Sequence, residues 1–269
     1  MGNFARGVAR LLVAACAAGC FATLLISSAS AADDEAENDR VEEYFQELFL
    51  GEAAYPQDAG ETQLSLGHFW TDRGDFRSSL PLFLEYGITD ELQVGVTLPI
   101  NDHHANDPEL RDGLGNVELE VYWALLNCAD TGWVAGIGFG YSLPEATTGA
   151  GEDAHIYEPF AVLYRDFHTD ALNLSGGLEI EDPRDPADAA ETSGEVAVAY
   201  IRPDPCRPLV WLLEADAEIE SEGTHVRIAP GAYYRPAGGS WELGFSLPVG
   251  LTESAPKIGA FAMLTFEFE

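Results

Sequence analysis

Acidic and amide side chains recur at every second position of short apolar segments: Glu85, Gln93, Glu118, Glu120, Glu179, Glu195, Glu214, Asp216, Glu218 and Glu242. If the apolar neighbours face outward, these residues face inward, with Arg165, Arg227, Arg235 and His225 as their main basic counterparts. Carboxylates crowded into a confined, partly dehydrated space repel one another unless each is paired with an arginine, protonated, or holding a cation. A lining of that kind selects by charge and favours cations. Covalent chemistry has less support. No Ser/His pair shares a strand face, so no catalytic residue is assigned. His103 and His104, with Asp102 and Asp107, sit in an acidic loop that could bind a divalent metal. Adjacent residues on extended backbone point apart, which favours a solvated loop, and no metal site is read there. Gly136, Gly138 and Gly140 alternate along a strand, where close packing explains them better than a nucleotide loop does. No cofactor is implied.

The elements that would carry the inward set are strands. Leu92, Val94, Val96, Leu98 and Ile100 alternate with Gln93, Gly95 and Thr97, the cleanest period of two in the chain. Val117, Leu119, Val121, Trp123 and Leu125 oppose Glu118, Glu120 and Tyr122 in the same manner. One face meets something oily and the other something wet. Strands are expected at 63–70, 79–89, 92–100, 116–126, 132–143, 157–165, 171–180, 194–201, 209–219, 224–234, 240–249 and 257–268. That makes about twelve, an even number, joined alternately by tight turns and longer acidic loops. The fold class is therefore all-β: an antiparallel up-and-down transmembrane β-barrel over residues 63–269. Pro81, Pro99, Pro144, Pro159 and Pro248 are taken as marking loop-side strand ends, while the mid-strand Pro230 calls for a bulge or a shifted boundary.

At the tight-turn end of these segments sit Tyr86, Trp123, Trp133, Tyr164, Tyr200, Trp211, Tyr234, Trp241 and Phe268. They are expected to face outward as interfacial anchors along one rim. The last segment alternates through Ile258, Ala260, Ala262, Leu264, Phe266 and Phe268. It looks like the aromatic-ended closing strand by which the barrel-assembly machinery receives outer-membrane proteins.

Arg6 and Arg10 precede an apolar run from Leu11 to Ile26, and Ala29-Ser30-Ala31 has the pattern of a signal-peptidase site. Residues 1–31 are read as a cleaved signal peptide. Val13–Cys16 and Ala17–Cys20 also resemble lipoprotein boxes, but apolar sequence continues past both. Residues 32–62 form an acidic periplasmic leader, in which Tyr44–Leu50 suits one or two helical turns or a plug. Acidic residues number 46 against 13 basic ones, which excludes nucleic acid as a natural partner. Beyond the signal, Cys128 and Cys206 lie in tight turns where an oxidising space permits a disulfide.

Glu85-Tyr86-Gly87-Ile88-Thr89-Asp90-Glu91-Leu92, the Leu98-Pro99 strand end, and Gly113-Leu114-Gly115-Asn116-Val117-Glu118-Leu119 together resemble the pattern of a known family. It is the outer-membrane transporter family named after the meta-pathway of phenol degradation. Glu52-Ala53-Ala54-Tyr55-Pro56-Gln57-Asp58-Ala59-Gly60-Glu61 is similar to that family's segment before its first strand. Where the family commonly has Gly-Asp, this chain has Gly115-Asn116. The resemblance implies uptake of aromatic or other small hydrophobic compounds. The expectations are thus a non-enzymatic, porin-like barrel in a Gram-negative outer membrane, with its termini in the periplasm and lipid and lipopolysaccharide around it. It would pass small hydrophobic or aromatic solutes passively through an acidic lumen. The alternative is a non-transporting structural or adhesive barrel whose acidic loops bind cations; a soluble periplasmic β-protein is a third, weaker reading.

Overall fold

The structure is a computed structural model. It describes residues 41, 44–72, 76–103, 112–144, 150–185, 187, 189–221, 223–236 and 239–268. The signal peptide and the His103–His104 loop reading fall outside the described residues or side chains.

The chain forms β1 (Thr62–Asp72), β2 (Phe76–Thr89), β3 (Leu92–His103), β4 (Gly113–Leu114), β5 (Glu118–Cys128), β6 (Trp133–Ser142) and β7 (Ala154–Asp166). It continues through β8 (Ala171–Pro183), β9 (Glu191–Pro203), β10 (Leu209–Ile219), β11 (Thr224–Tyr234), β12 (Trp241–Ser246), β13 (Val249–Gly250) and β14 (Ile258–Phe268). The strands pair antiparallel in the order β1-β2-β3-β5-β6-β7-β8-β9-β10-β11-β12-β14, with β4 on β3 and β13 between β11 and β14, and β1 pairs with β14 from Thr62↔Phe268 to Asp72↔Ile258. The sheet therefore closes on itself, and no edge is left to satisfy in an apolar surround. β4 and β5 continue one stave, as do β12 and β13, so the ring has twelve staves. All twelve expected strands are present.

Proline explains both interrupted staves. In an antiparallel ladder a residue's N–H and C=O point to the same neighbour. Gly115 N–H donates to the Pro99 carbonyl, so the donor that Pro99 lacks is missing opposite the gap between β4 and β5. Leu247 N–H donates to the Pro230 carbonyl, opposite the gap between β12 and β13. Pro230 causes neither a bulge nor a shifted boundary: Gly231↔Ser246 and Ile228↔Val249 keep one register across it. The interruption lies in its partner. On the loop side β2, β3 and β7 run past Pro81, Pro99 and Pro159, so those prolines lie inside strands rather than at their ends.

Large apolar side chains cover the outside. Leu66, Leu84, Leu119, Val121, Ile137, Leu172, Val198, Leu213 and Phe245 are all exposed there, although nothing in a water-soluble fold would leave so many uncovered. No helix among the described residues is long and apolar enough to cross a membrane, which says nothing of crossing by strands.

Close packing inside the wall accounts for the alternating glycines. A Cβ at Gly136 would overlap the Tyr122 ring, and one at Gly138 would overlap Phe160. Those two rings stack with centroids 6.2 Å apart. Gly138→Val is expected to cost about 1–3 kcal/mol by overpacking. The temperature of the heat-dependent gel shift should fall accordingly.

Candidate functional site: a plugged acidic lumen

Residues 44–61 enter at the tight-turn rim and fold back into the barrel. No helix forms over Tyr44–Leu50, in contrast to one sequence expectation; the segment is irregular backbone. Its amides are bonded outward to the wall instead of along a helix. Gln46 N–H donates to Glu242 at 3.0 Å, and Phe49 and Leu50 N–H both donate to Glu214 Oε2, at 3.0 and 2.9 Å. Glu52 N–H reaches Ser175 Oγ, Asn173 Nδ2 donates to the Glu52 carbonyl, and Tyr122 OH donates to the Ala54 carbonyl at 2.7 Å. Inward carboxylates thus have a use that charge pairing alone does not suggest: they accept from a backbone that would otherwise be buried unbonded.

Apolar contacts reinforce this. Phe45, Leu48, Phe49, Leu50, Ala54 and Tyr55 bury among Tyr122, Val134, Val162, Tyr164, Ile201, Leu212 and Tyr233. Phe49 stacks on Tyr233 with centroids 5.1 Å apart, and Tyr55 meets Tyr164 edge-on at 4.9 Å.

The two stretches that carry the family resemblance touch each other. Gly60 N–H donates to the Gly87 carbonyl and Gly87 N–H to Glu61, at 2.9 and 3.0 Å. Ala59 N–H donates to Asp90. Gln57 N–H donates to Gln93 at 2.8 Å, and Gln93 is held in turn by Glu85. A side chain at Gly87 would collide with the backbone of Gln57 and Asp58, so only glycine lets the plug segment pass there. Asn116 makes three bonds at the base of its loop. Its amide donates to the carbonyls of Leu143 and Glu152 and its oxygen accepts from Glu152 N–H. A carboxylate could make only the last of these bonds.

The anticipated inward residues are distributed as follows. Glu85, Gln93, Glu214 and Glu242 hold the plug or its neighbours. Glu120 borders the plug beside Tyr122. Glu118 projects inside beside Glu158, against Gly140. Glu179, Glu195, Glu218 and Arg227 line an open cavity above the plug. Asp216 receives Arg227 through Nε at 3.0 Å to both of its oxygens. Arg235 pairs with Glu267 at 2.7 Å. His225 Nε2 lies 3.4 Å from Glu220. Among the described residues, Glu218, Glu220 and His225 are the group best arranged for a metal, with ligand atoms within 4.8 Å of one another.

Two residues lie on the opposite face from that expected. Arg165 is outside: it pairs in register with Trp133 and its guanidinium covers that ring at 4.8 Å. Tyr164 is inside, fully buried against Tyr55. β7 is apolar on both faces around Val162, because the plug offers an oily surface within the barrel, so alternation could not tell its faces apart. The other anticipated rim aromatics, Tyr86, Trp123, Trp133, Trp211, Tyr234, Trp241 and Phe268, are exposed on the outer face. Tyr200 shares that face with its register partners Leu172 and Leu213, and its hydroxyl donates to Asp170. Cys128 and Cys206 are free thiols.

Sequence alone gave no role to Asn173, Ser175 or Glu158. Alternation was the available signal for the first two, since Leu172 and Leu174 point outward. Glu52 lies outside any strand, so alternation does not mark it.

Plug docking carries a pH dependence. Water reaches Glu52 through the cavity, but the surrounding walls reduce its hydration; that burial, then Glu195, Glu158 and Glu85, pushes its pKa from 4.5 up to about 7. Burial and then Glu85 raise Glu47 as well. The docked plug therefore holds more protons than a released one between about pH 4.5 and 7. Docking is tightest below that window and weakens as pH rises through it. Proteolytic cutting within residues 44–58 is expected to be faster at about pH 8 than at about pH 5, measured by limited proteolysis of the folded barrel.

No protein-family model and no curated protein matches the chain. Among solved structures, KdgM porin superposes with a TM-score of 0.56 at 7% identity, over 77% of this chain and 99% of that one. An outer membrane channel from Pseudomonas putida F1 gives 0.55 at 16% identity, over 88% of this chain and 100% of the other. NanC porin gives 0.55 at 8% identity, over 77% and 99%. The likeness is one of fold.

Proposed function

We propose that this chain is an outer-membrane channel for small, hydrophobic or aromatic solutes, and a member of the family named after the meta-pathway of phenol degradation. Solute passes by diffusion through the acidic lumen when residues 44–58 leave it. The observation that carries the reading is the interior itself. A channel needs a wet, charged lumen inside an apolar cylinder, and a purely structural barrel of this girth has no need of a segment of irregular backbone held by hydrogen bonds to lumen carboxylates. The fold shared with two porins and an outer membrane channel supports it. The tight-turn rim and both termini face the periplasm, the longer loops face outside toward lipopolysaccharide, and β14 addresses the barrel-assembly machinery. No enzymatic step is proposed.

The fully seated plug favours one rival, a non-transporting barrel that serves through its acidic loops. Liposomes loaded with a small solute separate the two. Faster efflux of phenol-sized neutral compounds through the reconstituted barrel than through lipid alone supports transport; equal rates, with the plug present and removed, support the structural reading.

A further inference from the structure

Above the plug the lumen holds a cavity of about 340 Å³, of a size that accepts a small organic molecule. Its two sides differ chemically, and the topology sets them opposite one another. Phe69 on β1, Phe83 on β2 and Met263 on β14 come from three adjacent staves. Phe69 lies 6.5 Å from Phe83 and 4.8 Å from Phe261 between ring centroids, so the three rings form one apolar pad. Six staves around a ring of twelve, and therefore across the lumen, β7, β8 and β9 present Glu158, Glu179 and Glu195. Gly177, whose register partner is Glu195, places no side chain in the space before that wall. The plug supplies the floor, with Leu48 and Glu52. Arg227, the arginine on the cavity wall, is already engaged by Asp216, so its charge offsets the acidic side only in part.

We infer that this cavity binds amphipathic organic cations, the apolar end lying on the Phe69–Phe83 pad and an ammonium group meeting Glu158, Glu179 and Glu195 across the lumen. The inference deepens the channel reading and rests on it for the passage of solute, though not for binding. Each simpler solute engages one wall only and so binds more weakly, without being barred from passage. A neutral aromatic leaves three carboxylates to be dehydrated without a partner, a small inorganic cation gains nothing from the pad, and an aromatic carboxylate is repelled. Joined in one molecule, the ammonium and the ring satisfy both sides, and the ring faces add attraction for any cation that approaches them.

The test uses the full-length barrel in detergent and four matched probes: 2-phenylethylammonium, 2-phenylethanol, 3-phenylpropionate and ethylammonium. Equilibrium titration is expected to show 2-phenylethylammonium binding at least about tenfold tighter than the alcohol or ethylammonium, with no binding of the carboxylate. Glu179→Gln combined with Glu195→Gln should lose that margin, and Phe69→Ala should bring 2-phenylethylammonium down to ethylammonium. Retention of the heat-dependent gel shift shows that each variant is folded. Equal binding of the ammonium and the alcohol, or a preference for the carboxylate, overturns the site. Solute flux read in liposomes keeps the two claims apart: tight ammonium binding without flux of any solute leaves the site standing and removes the channel, whereas flux without ammonium preference does the reverse.

Discussion

Deleting residues 44–58 is expected to raise single-channel conductance on the order of tenfold, since a barrel of twelve staves lies between those that side chains fill and those that hold a water channel. The segment contributes six buried apolar side chains to the lumen, so its removal opens the tight-turn half that it now occupies. Barrel closure does not depend on it. The β1–β14 ladder runs from Thr62↔Phe268 to Asp72↔Ile258, outside the deleted stretch, and residues 59–61 keep their bonds at Gly87. The deleted protein should therefore retain its heat-dependent gel shift. Planar-bilayer recording gives the readout, and conductance equal to that of the intact chain would mean that the plug does not limit flow.

Glu214→Ala is expected to shift the plug toward release by on the order of 100-fold. Glu214 Oε2 accepts two backbone donors, Phe49 and Leu50, and a buried donor left without its acceptor costs about 1–3 kcal/mol. Part of that loss is offset. Glu214 Oε1 is buried without a hydrogen-bond partner among the described residues, and its removal relieves an unfavourable burial. Glu214→Gln keeps an acceptor for the two amides and should shift the balance much less. More frequent open events together with faster proteolytic cutting within 44–58 would bear the expectation out; an unchanged open probability and unchanged cutting would place the hold elsewhere, on the apolar contacts of Phe45 and Phe49.

Much of the wall is legible because most staves have one oily and one wet face. Residues 92–100 and 209–219 reveal their strands by period two, while closure rests on the pairing of β1 with β14, which no local pattern announces. The interior was harder to read. β7 faces lipid through Leu163 and the plug through Tyr164, so both of its faces are apolar and the tyrosine was placed outside. A one-residue bulge between Ala124 and Leu126 reverses the alternation in β5, which brings Asn127 inward to accept the Val41 amide. Local sequence does not announce that bulge. Nor does the plug announce its path, since Phe45, Leu48, Phe49 and Tyr55 follow neither a strand nor a helix period and take their positions from the wall they meet. The charge of Arg165 suggests the wet interior, whereas at the rim its guanidinium rests on Trp133 and reaches solvent from there. The acids were placed with their purpose half known: pairing with arginine accounts for Asp216, while Glu214 and Glu242 answer to backbone amides.

The reversal potential of the plug-deleted barrel in asymmetric KCl tests most directly whether an acidic lumen conducts. The arrangement of Glu118, Glu158, Glu179 and Glu195 predicts a potential of the sign set by potassium moving in preference to chloride, reduced when Glu179 and Glu195 are replaced by glutamine. A barrel that is folded yet silent, or one whose potential has the sign of chloride preference, would contradict it.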